Sequence, residues 1–452
     1  MEFTEEQQDI FNSYKKRENI FITGPGGCGK SFIIKYIVKD ACHNNIKVSV
    51  CAMTGCAAIL LNCCATTLHR WSGIGIDYSN PQKVYERIKR NRYLFNQWKN
   101  IQLLIIDEVS MMSKEIFELL HFIAQKIRKN EEYFGGIQLI CSGDFYQLAP
   151  IDKNKNVEYC FESPLWNNTF DSQILMDTVI RQKDKKFLTI LNEVRTGSLS
   201  PKTIKRLKKR IIDKETMERL MTNESIKPIL LTPIKSKVAD INQYELSKLS
   251  DQMNYSYTYS FQYTKPQIQS SDNSLYMKMQ MLHHKIPTNT ELKKEEEYML
   301  KNSMFEKELI LYVGSQVMCI ANVDLEKGIC NGTTGIVCAF NETKPIVRLS
   351  NGNVYTFKQH TWYSDNIPGA YITQYPLVLA WAITIHKSQG STLENAIVDI
   401  GNSVFSEGQT YVALSRLRSL DGLYLTSFDA SKIKINKKVQ QFYSQFYEEE
   451  TM

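Results

Sequence analysis

The octapeptide GPGGCGKS, residues 24–31, has the residue types and spacing to hold a polyphosphate. The pattern G-x-x-x-x-G-K-[S/T] lets a glycine-rich backbone wrap anionic oxygens with its N–H groups and with the N-terminus of the helix that follows. In that reading Gly24, Gly26, Gly27, Cys28 and Gly29 line the cradle, Lys30 reaches the β/γ-phosphates and Ser31 offers a hydroxyl to Mg²⁺. So short a pattern also arises as an ordinary Gly-rich turn, so its setting matters. A largely apolar run at 19–23 precedes it and a helix-like stretch at 32–38 follows, as a phosphate loop requires.

Asp107 and Glu108 directly follow the apolar run LLII, a position from which carboxylates can face such a loop. Asp107 suits Mg²⁺, directly or through water, and Glu108 suits orienting or deprotonating an attacking water. The alternative is an acidic pair capping the next helix. Gln147, in GDFYQ after another apolar run, carries a neutral amide that can sense a γ-phosphate or the lytic water. Arg181 and Arg416 are candidate guanidinium clamps on transition-state charge, a role worth ~10³–10⁵ in rate. For either one alone a surface salt bridge is the ordinary alternative.

These groups need a scaffold that brings distant segments together. Apolar β-type runs recur at 20–23, 48–52, 103–106 and 138–141, separated by helix-like stretches such as 114–128. That alternation predicts an α/β fold, a parallel sheet covered by helices with ligand loops at the carboxyl ends of its strands. Runs at 228–232, 314–320, 373–385 and 423–426 predict a second α/β lobe, with the division at 1–180 and 181–452.

Two stretches depart from the alternation. Residues 73–101 are basic, with Lys83, Arg87, Lys89, Arg90 and Arg92, while Val84, Ile88, Phe95 and Trp98 keep a partly helical apolar spacing. Further on, YSYTYSFQY at 255–263 alternates so that Tyr255, Tyr257, Tyr259, Phe261 and Tyr263 share one strand face. Such a face either packs against a neighbouring strand or stacks bases; packing is the commoner use. Asn351-Gly352 between PIVRLS and NVYTF predicts a hairpin, and the short strands of 335–362 suggest a small inserted barrel.

At 452 residues the chain exceeds the usual size of one core, and its 43% hydrophobic content supports globular packing. The formal charge of +7 is compatible with a polyanionic partner but too modest over this length to establish one. Eleven cysteines, an odd count without a C-x-x-C pair, fit neither a zinc site nor a secreted disulfide framework. The acidic, polar start MEFTEEQQDIF and the lack of a membrane-length apolar run predict a soluble intracellular protein of nucleus or cytoplasm. No N-K-x-D guanine-reading motif follows the loop in a suitable place, which argues against a signalling GTPase.

Taken in order, GPGGCGKS, MTGCAA (53–58), TTLHRWSGIG (66–75), IDEVSMM (106–112), GGIQLICSGDFYQLAP (135–150), IRQ (180–182), AWAITIHKSQGSTL (380–393) and YVALSR (411–416) resemble the Pif-type helicases. These are ATP-driven, 5′-to-3′ DNA helicases of superfamily 1, related to RecD, and the resemblance runs over residues 7–425. It implies two RecA-like parallel-sheet lobes, with a strand-separating wedge at about residues 70–100 of the first. It also implies an SH3-like β-barrel within an insertion at about 255–372 of the second. Its cofactors are ATP and Mg²⁺; its partners are single-stranded DNA and tailed or forked duplex, engaged as a monomer and without a membrane.

Residue by residue, the resemblance makes Gln7 a nucleotide-binding glutamine, although Thr4-x-x-Gln7 also reads as a helix capping box. It brings Arg181 and Arg416 to the γ-phosphate from the second lobe and gives Gly390 a part in linking ATP to DNA. DNA contacts fall on Thr54, Gly55, Thr67 and His69 in the first lobe and on Thr384, His386 and Lys387 in the second. Amides and hydroxyls of this kind hold phosphates without reading bases. Two positions depart from the family pattern: Cys28 where Thr is frequent, and Ala149 where Pro is usual. Cys28, beside a helix N-terminus, is either an oxidation-sensitive thiol or an inert one. Replication, recombination or genome maintenance follow from the resemblance alone, and the Lys, Asn and Ile usage suits an AT-rich genome such as that of a large DNA virus.

Overall fold

Residues 20–23, Ile-Phe-Ile-Thr, are β-branched or aromatic and buried throughout, as the inner strand of a helix-covered parallel sheet must be. In the computed structural model they form β1 (Ile20–Thr23) of a six-stranded sheet. Its other strands are β2 (Val48–Ala52), β3 (Thr66–Thr67), β4 (Leu103–Asp107), β5 (Gln138–Ser142) and β6 (Ser172–Leu175). The order is β3-β2-β4-β5-β1-β6, and every pairing is parallel. The structure describes residues 3–448 except 62, 64, 76–77, 151–157, 223–225, 266–285, 304, 325–326, 365–366, 368, 386, 389–390, 402–403 and 405.

Successive side chains go to opposite faces of this sheet. Phe21, Leu104, Ile106, Leu139 and Cys141 enter one apolar cluster, while Ile20, Ile22, Leu103, Ile105 and Ile140 enter another. Helix Lys114–Arg128 covers the first face; Ser113 caps it by accepting the Ile116 N–H at 3.3 Å. It buries Ile116, Phe117, Leu120 and Ile123, each side chain contributing ~1.5–3 kcal/mol of apolar burial. Helix Lys30–His43 covers the other face with Ile33, Ile34 and Ile37.

The basic segment folds as two helices, Pro81–Arg90 and Arg92–Asn100, started by Asn80 with Pro81 in the first turn and by Asn91. Val84, Ile88 and Trp98 are buried in the first cluster and Phe95 packs against it, while Lys83, Arg87, Lys89, Arg90 and Arg92 are exposed. Trp98 Nε1 donates to the Ser72 carbonyl at 3.0 Å, which fixes the pair of helices to the preceding segment.

The chain divides into two compact units: Met1–Leu199 with Ser406–Ser415 and Ile433–Met452, and Ser200–Phe405 with Arg416–Lys432. The division falls beyond the expected boundary at residue 180, and helices Gln409–Leu414 and Lys437–Glu448 return to the first unit. The second unit has its own four-stranded parallel sheet, in the order Ala382–Thr384, Ile229–Thr232, Ala396–Ile400, Leu423–Phe428.

Antiparallel sheets occupy the expected insertion. Lys344–Leu349 and Val354–Thr356 pair across Asn351-Gly352 as the hairpin signal predicts, with Gly352 at φ +85°. The alternating aromatics differ from the single strand face expected of them. Asn254–Thr258 pairs with Glu308–Tyr312, whereas Ser260–Tyr263 pairs with Ala370–Gln374 in another sheet. Tyr257 is buried, donates to the Thr343 carbonyl at 2.6 Å and lies 4.5 Å from the Tyr375 ring, so it packs the interior. Among the described residues no helix is long and apolar enough to cross a membrane.

Candidate functional site

The register Ile22↔Ser142, Ile106↔Cys141 and Ala52↔Asp107 aligns the carboxyl ends of four strands along one edge of the first sheet. The phosphate loop leaves β1 at that edge. Gly24, Gly27 and Gly29 have φ of +139°, +91° and +100°, where side-chain-bearing residues are strained. A Cβ at these positions would meet Met176 O at 2.3 Å, Arg181 Cβ at 2.6 Å and Gln7 Nε2 at 2.7 Å. Both conformation and space therefore demand glycine. Lys30 opens the following helix, and its ammonium donates to Gly24 O at 2.7 Å and Pro25 O at 3.0 Å. Ser31 is exposed in the first helical turn, and the Cys28 thiol is buried 3.5 Å from Lys30 Nζ.

Asp107 ends β4 and is buried. Burial pushes its carboxyl up, while the Ser142 hydroxyl, the Glu108 backbone and the Lys30 charge act in the opposite sense. Glu108 sits at φ +57°, ψ +40°, a left-handed conformation that costs ~1–2 kcal/mol outside glycine. Gln147 is buried at the carboxyl edge beyond β5, and its N–H donates to the Asp144 carbonyl at 2.8 Å. A Cβ on Gly408 would lie 2.3 Å from Gln147 O, so the start of helix Gln409–Leu414 rests on this loop.

Gln7 does two things at once. Its Oε1 accepts the Thr4 N–H at 3.2 Å and its own N–H donates to Thr4 Oγ1 at 3.3 Å, completing the capping box. Its Nε2, buried beside Gly29, has no hydrogen-bond partner among the described residues.

Arg181 belongs to the first unit and not, as expected, to the second. Its N–H and that of Ile180 donate to Gly27 O at 3.2 and 2.9 Å, and its guanidinium donates to the Ser415 carbonyl at 3.2 Å. Burial lowers the pKa of that guanidinium against the opposing influence of Tyr411, Cys28 and Glu108. Arg416 is buried in the second unit, where its carbonyl accepts the Leu393 N–H at 2.9 Å.

The nucleic-acid candidates divide between the units. Thr54 Oγ1 accepts the Ala57 N–H at 3.2 Å at the head of helix Gly55–Leu61. Thr67 precedes helix Leu68–Ser72, which carries His69; burial lowers the pKa of that imidazole. In the second unit Thr384 Oγ1 accepts the Lys387 N–H at 3.2 Å, and the Lys387 ammonium lies 3.6 Å from Glu306. That pair is exposed and therefore weak enough to yield to a phosphate. His386 and Gly390 lie outside the described residues.

A family model described as "PIF1-like helicase" matches residues 2–205, and one described as "DNA helicase Pif1, 2B domain" matches 297–340. The crystal structure of Pif1 helicase from Candida albicans is similar over 99% of this chain and 100% of that one, at 30% identity and a TM-score of 0.72. The chain belongs to the PIF1-like helicase family.

Other PIF1-like helicases agree. The ATP-dependent DNA helicase PIF1 of Danio rerio is 33% identical over 99% of this chain. The chain spans 64% of that relative's length. Bacteroides Pif1 in complex with ADP-AlF4 matches 99% of this chain and 98% of its own at 28% identity and a TM-score of 0.79. In complex with ADP-AlF3 and ssDNA it matches 100% and 98% at 27% identity and a TM-score of 0.63.

Sequence reasoning gave no role to three further participants in this PIF1-like site, although Tyr411 lies in YVALSR and Gln182 in IRQ. The Tyr411 hydroxyl accepts the Gly26 N–H at 2.8 Å. Gln182 Nε2 donates to the Ser415 carbonyl at 3.1 Å. Arg195 is buried against Asp144, with Nε and a terminal nitrogen 3.0–3.3 Å from its carboxylate oxygens. Only the R of a generic helix marks Arg195 in sequence.

Proposed function

We propose that this chain is an ATP-driven DNA helicase that moves 5′ to 3′ on single-stranded DNA and opens tailed or forked duplex. One observation carries the reading: the phosphate loop, Asp107-Glu108 and the GDF loop with Gln147 share one edge of a parallel sheet, where the Gln7 amide also ends. A glycine cradle that any Cβ would fill, together with an orphaned buried amide, fits a nucleoside triphosphate.

In this reading the loop amides and Lys30 bind the phosphates, Gln7 contacts the base, and Ser31 with Asp107 would hold Mg²⁺. The metal would neutralise charge on the β/γ-phosphates, and few protein ligands suffice because it retains waters and phosphate oxygens. Glu108 orients the attacking water and takes its proton, Gln147 reads the γ-phosphate, and Arg181 and Arg416 bear on transition-state charge. Thr54, Gly55, Thr67, His69, Thr384, His386 and Lys387 hold the strand without reading its sequence. Opening a base-pair step costs on average ~1.4 kcal/mol of stacking, a task this reading assigns to the exposed basic helices at 81–100 and to repeated stepping. One copy per strand suffices for this scheme. The names and bound ligands of the relatives, ATP-dependent DNA helicases and complexes with ADP-AlF4 or ssDNA, support it.

Steady-state ATP hydrolysis with and without single-stranded DNA tests the assignment. The wild-type chain should be stimulated by DNA, and Lys30→Ala or Glu108→Gln should lose turnover. Full DNA-stimulated activity in either variant would show that the chemistry lies elsewhere.

A further inference from the structure

The C-terminal helix Lys437–Glu448 sends Tyr443 beneath the phosphate loop. Its phenol oxygen lies 2.5 Å from Thr23 Oγ1, accepts the Phe145 N–H at 3.1 Å and lies 3.4 Å from Asp144 Oδ1. With its proton directed to Asp144, the oxygen has two lone pairs for the Thr23 hydroxyl and the Phe145 amide, so its bonding capacity is filled. All four residues are buried. Burial, with the charge of Asp144 beside it, raises the phenol far above its ordinary pKa, so it stays protonated and able to donate.

The ring is fixed as well. It stacks on Tyr146 at 4.6 Å and 13°, and the Arg195 guanidinium that clamps Asp144 lies 5.3 Å from its centroid. Thr23 is the residue before Gly24, and Gln147 donates its N–H to the carbonyl of Asp144. One hydroxyl therefore joins the entry of the phosphate loop to the loop that carries Gln147.

We propose that Tyr443 is a positioning residue for ATP hydrolysis, holding Gln147 in register with the phosphate loop through its bonds to Thr23, Asp144 and Phe145. This rests on the reading of the site as an ATPase. In so buried a site, losing the hydroxyl leaves Thr23, Phe145 and Asp144 each short of a partner while the ring keeps its contacts. The two loops then loosen relative to each other without the sheet unfolding.

The test compares the wild-type chain with Tyr443→Phe, Thr23→Val and the double variant. Tyr443→Phe should lower the kcat of DNA-stimulated ATP hydrolysis about tenfold, the worth of one net hydrogen bond, while KM for ATP moves less than about threefold. Thr23→Val, which cuts the same link from the other side, should behave alike, and the double variant should be little worse than either single one. Amide hydrogen exchange should quicken at residues 24–31 and 143–147 and stay unchanged in β2 and β4. Unchanged kcat and exchange in Tyr443→Phe, or strictly additive losses in the double variant, would overturn the proposal. Faster loop exchange in Tyr443→Phe, in a chain whose wild type does not hydrolyse ATP, would sustain Tyr443 as the link between the two loops and reject the ATPase reading.

Discussion

The hydroxyl of Tyr411 accepts the Gly26 N–H at 2.8 Å, so a side chain of the YVALSR segment holds a phosphate-loop donor. A phosphate oxygen in the cradle competes for that same N–H. Tyr411→Phe removes the competitor and should tighten ATP-analogue binding about threefold to tenfold, a net hydrogen bond's worth. Calorimetric titration of a nonhydrolysable ATP analogue checks this; weaker binding would mean that the hydroxyl helps to hold the nucleotide.

Gln7 and Thr4 share a capping box, but only Gln7 has an amide nitrogen left over beside Gly29. Thr4→Ala should cost ~1 kcal/mol of stability, as lost caps do, and leave the preference for ATP over GTP intact. Gln7→Ala should weaken both the cap and that preference. Thermal unfolding and competition binding of the two nucleotides separate the outcomes.

His121 Nδ1 accepts the Phe134 N–H at 3.2 Å, a bond that only an unprotonated nitrogen can make. Burial lowers the pKa of this imidazole, as it does for His69 and His360. Between the lowered folded values and the unfolded value of about 6.5, the unfolded chain binds more protons, so stability rises with pH there. Urea unfolding should give a plateau above about pH 7 and a loss on acidification through about 6.5. His121→Leu should shallow that slope; an unaltered slope would remove His121 from the explanation.

The buried Cys28 side chain belongs to the same apolar cluster as Ile22, Ile33 and Met176. The structure favours the inert thiol over the oxidation-sensitive one. Iodoacetamide should label it in the native chain no faster than buried Cys141, with or without ATP, and rapidly only in urea. Fast, ATP-protected labelling would restore the sensitive alternative.

The elements nearest the chemistry were legible because local rules govern them. Buried apolar runs specified β1, β4 and β5, and the glycine spacing specified a phosphate loop whose Gly24, Gly27 and Gly29 take positive φ. What escaped depends on long-range pairing. Tyr443 meets Thr23 across 420 residues of sequence, and nothing near residue 443 announces that meeting. Arg181 precedes a break that sequence alone drew too early, because the return of Ser406–Ser415 and Ile433–Met452 has no local signature. The aromatic alternation of 255–263 promised one strand face, yet its halves pair with different partners, Leu309 and Leu311 on one side and Ile372 on the other. Periodicity specifies faces; it does not specify which neighbour a strand finds.

The most direct measurement is strand displacement from two duplexes that differ only in carrying a 5′ or a 3′ single-stranded tail, with ATP and Mg²⁺. ATP-dependent displacement of the 5′-tailed substrate alone, absent in Lys30→Ala, is the expected result. Displacement of neither substrate, or of the 3′-tailed one alone, would contradict the assignment of this chain as a 5′-to-3′ DNA helicase.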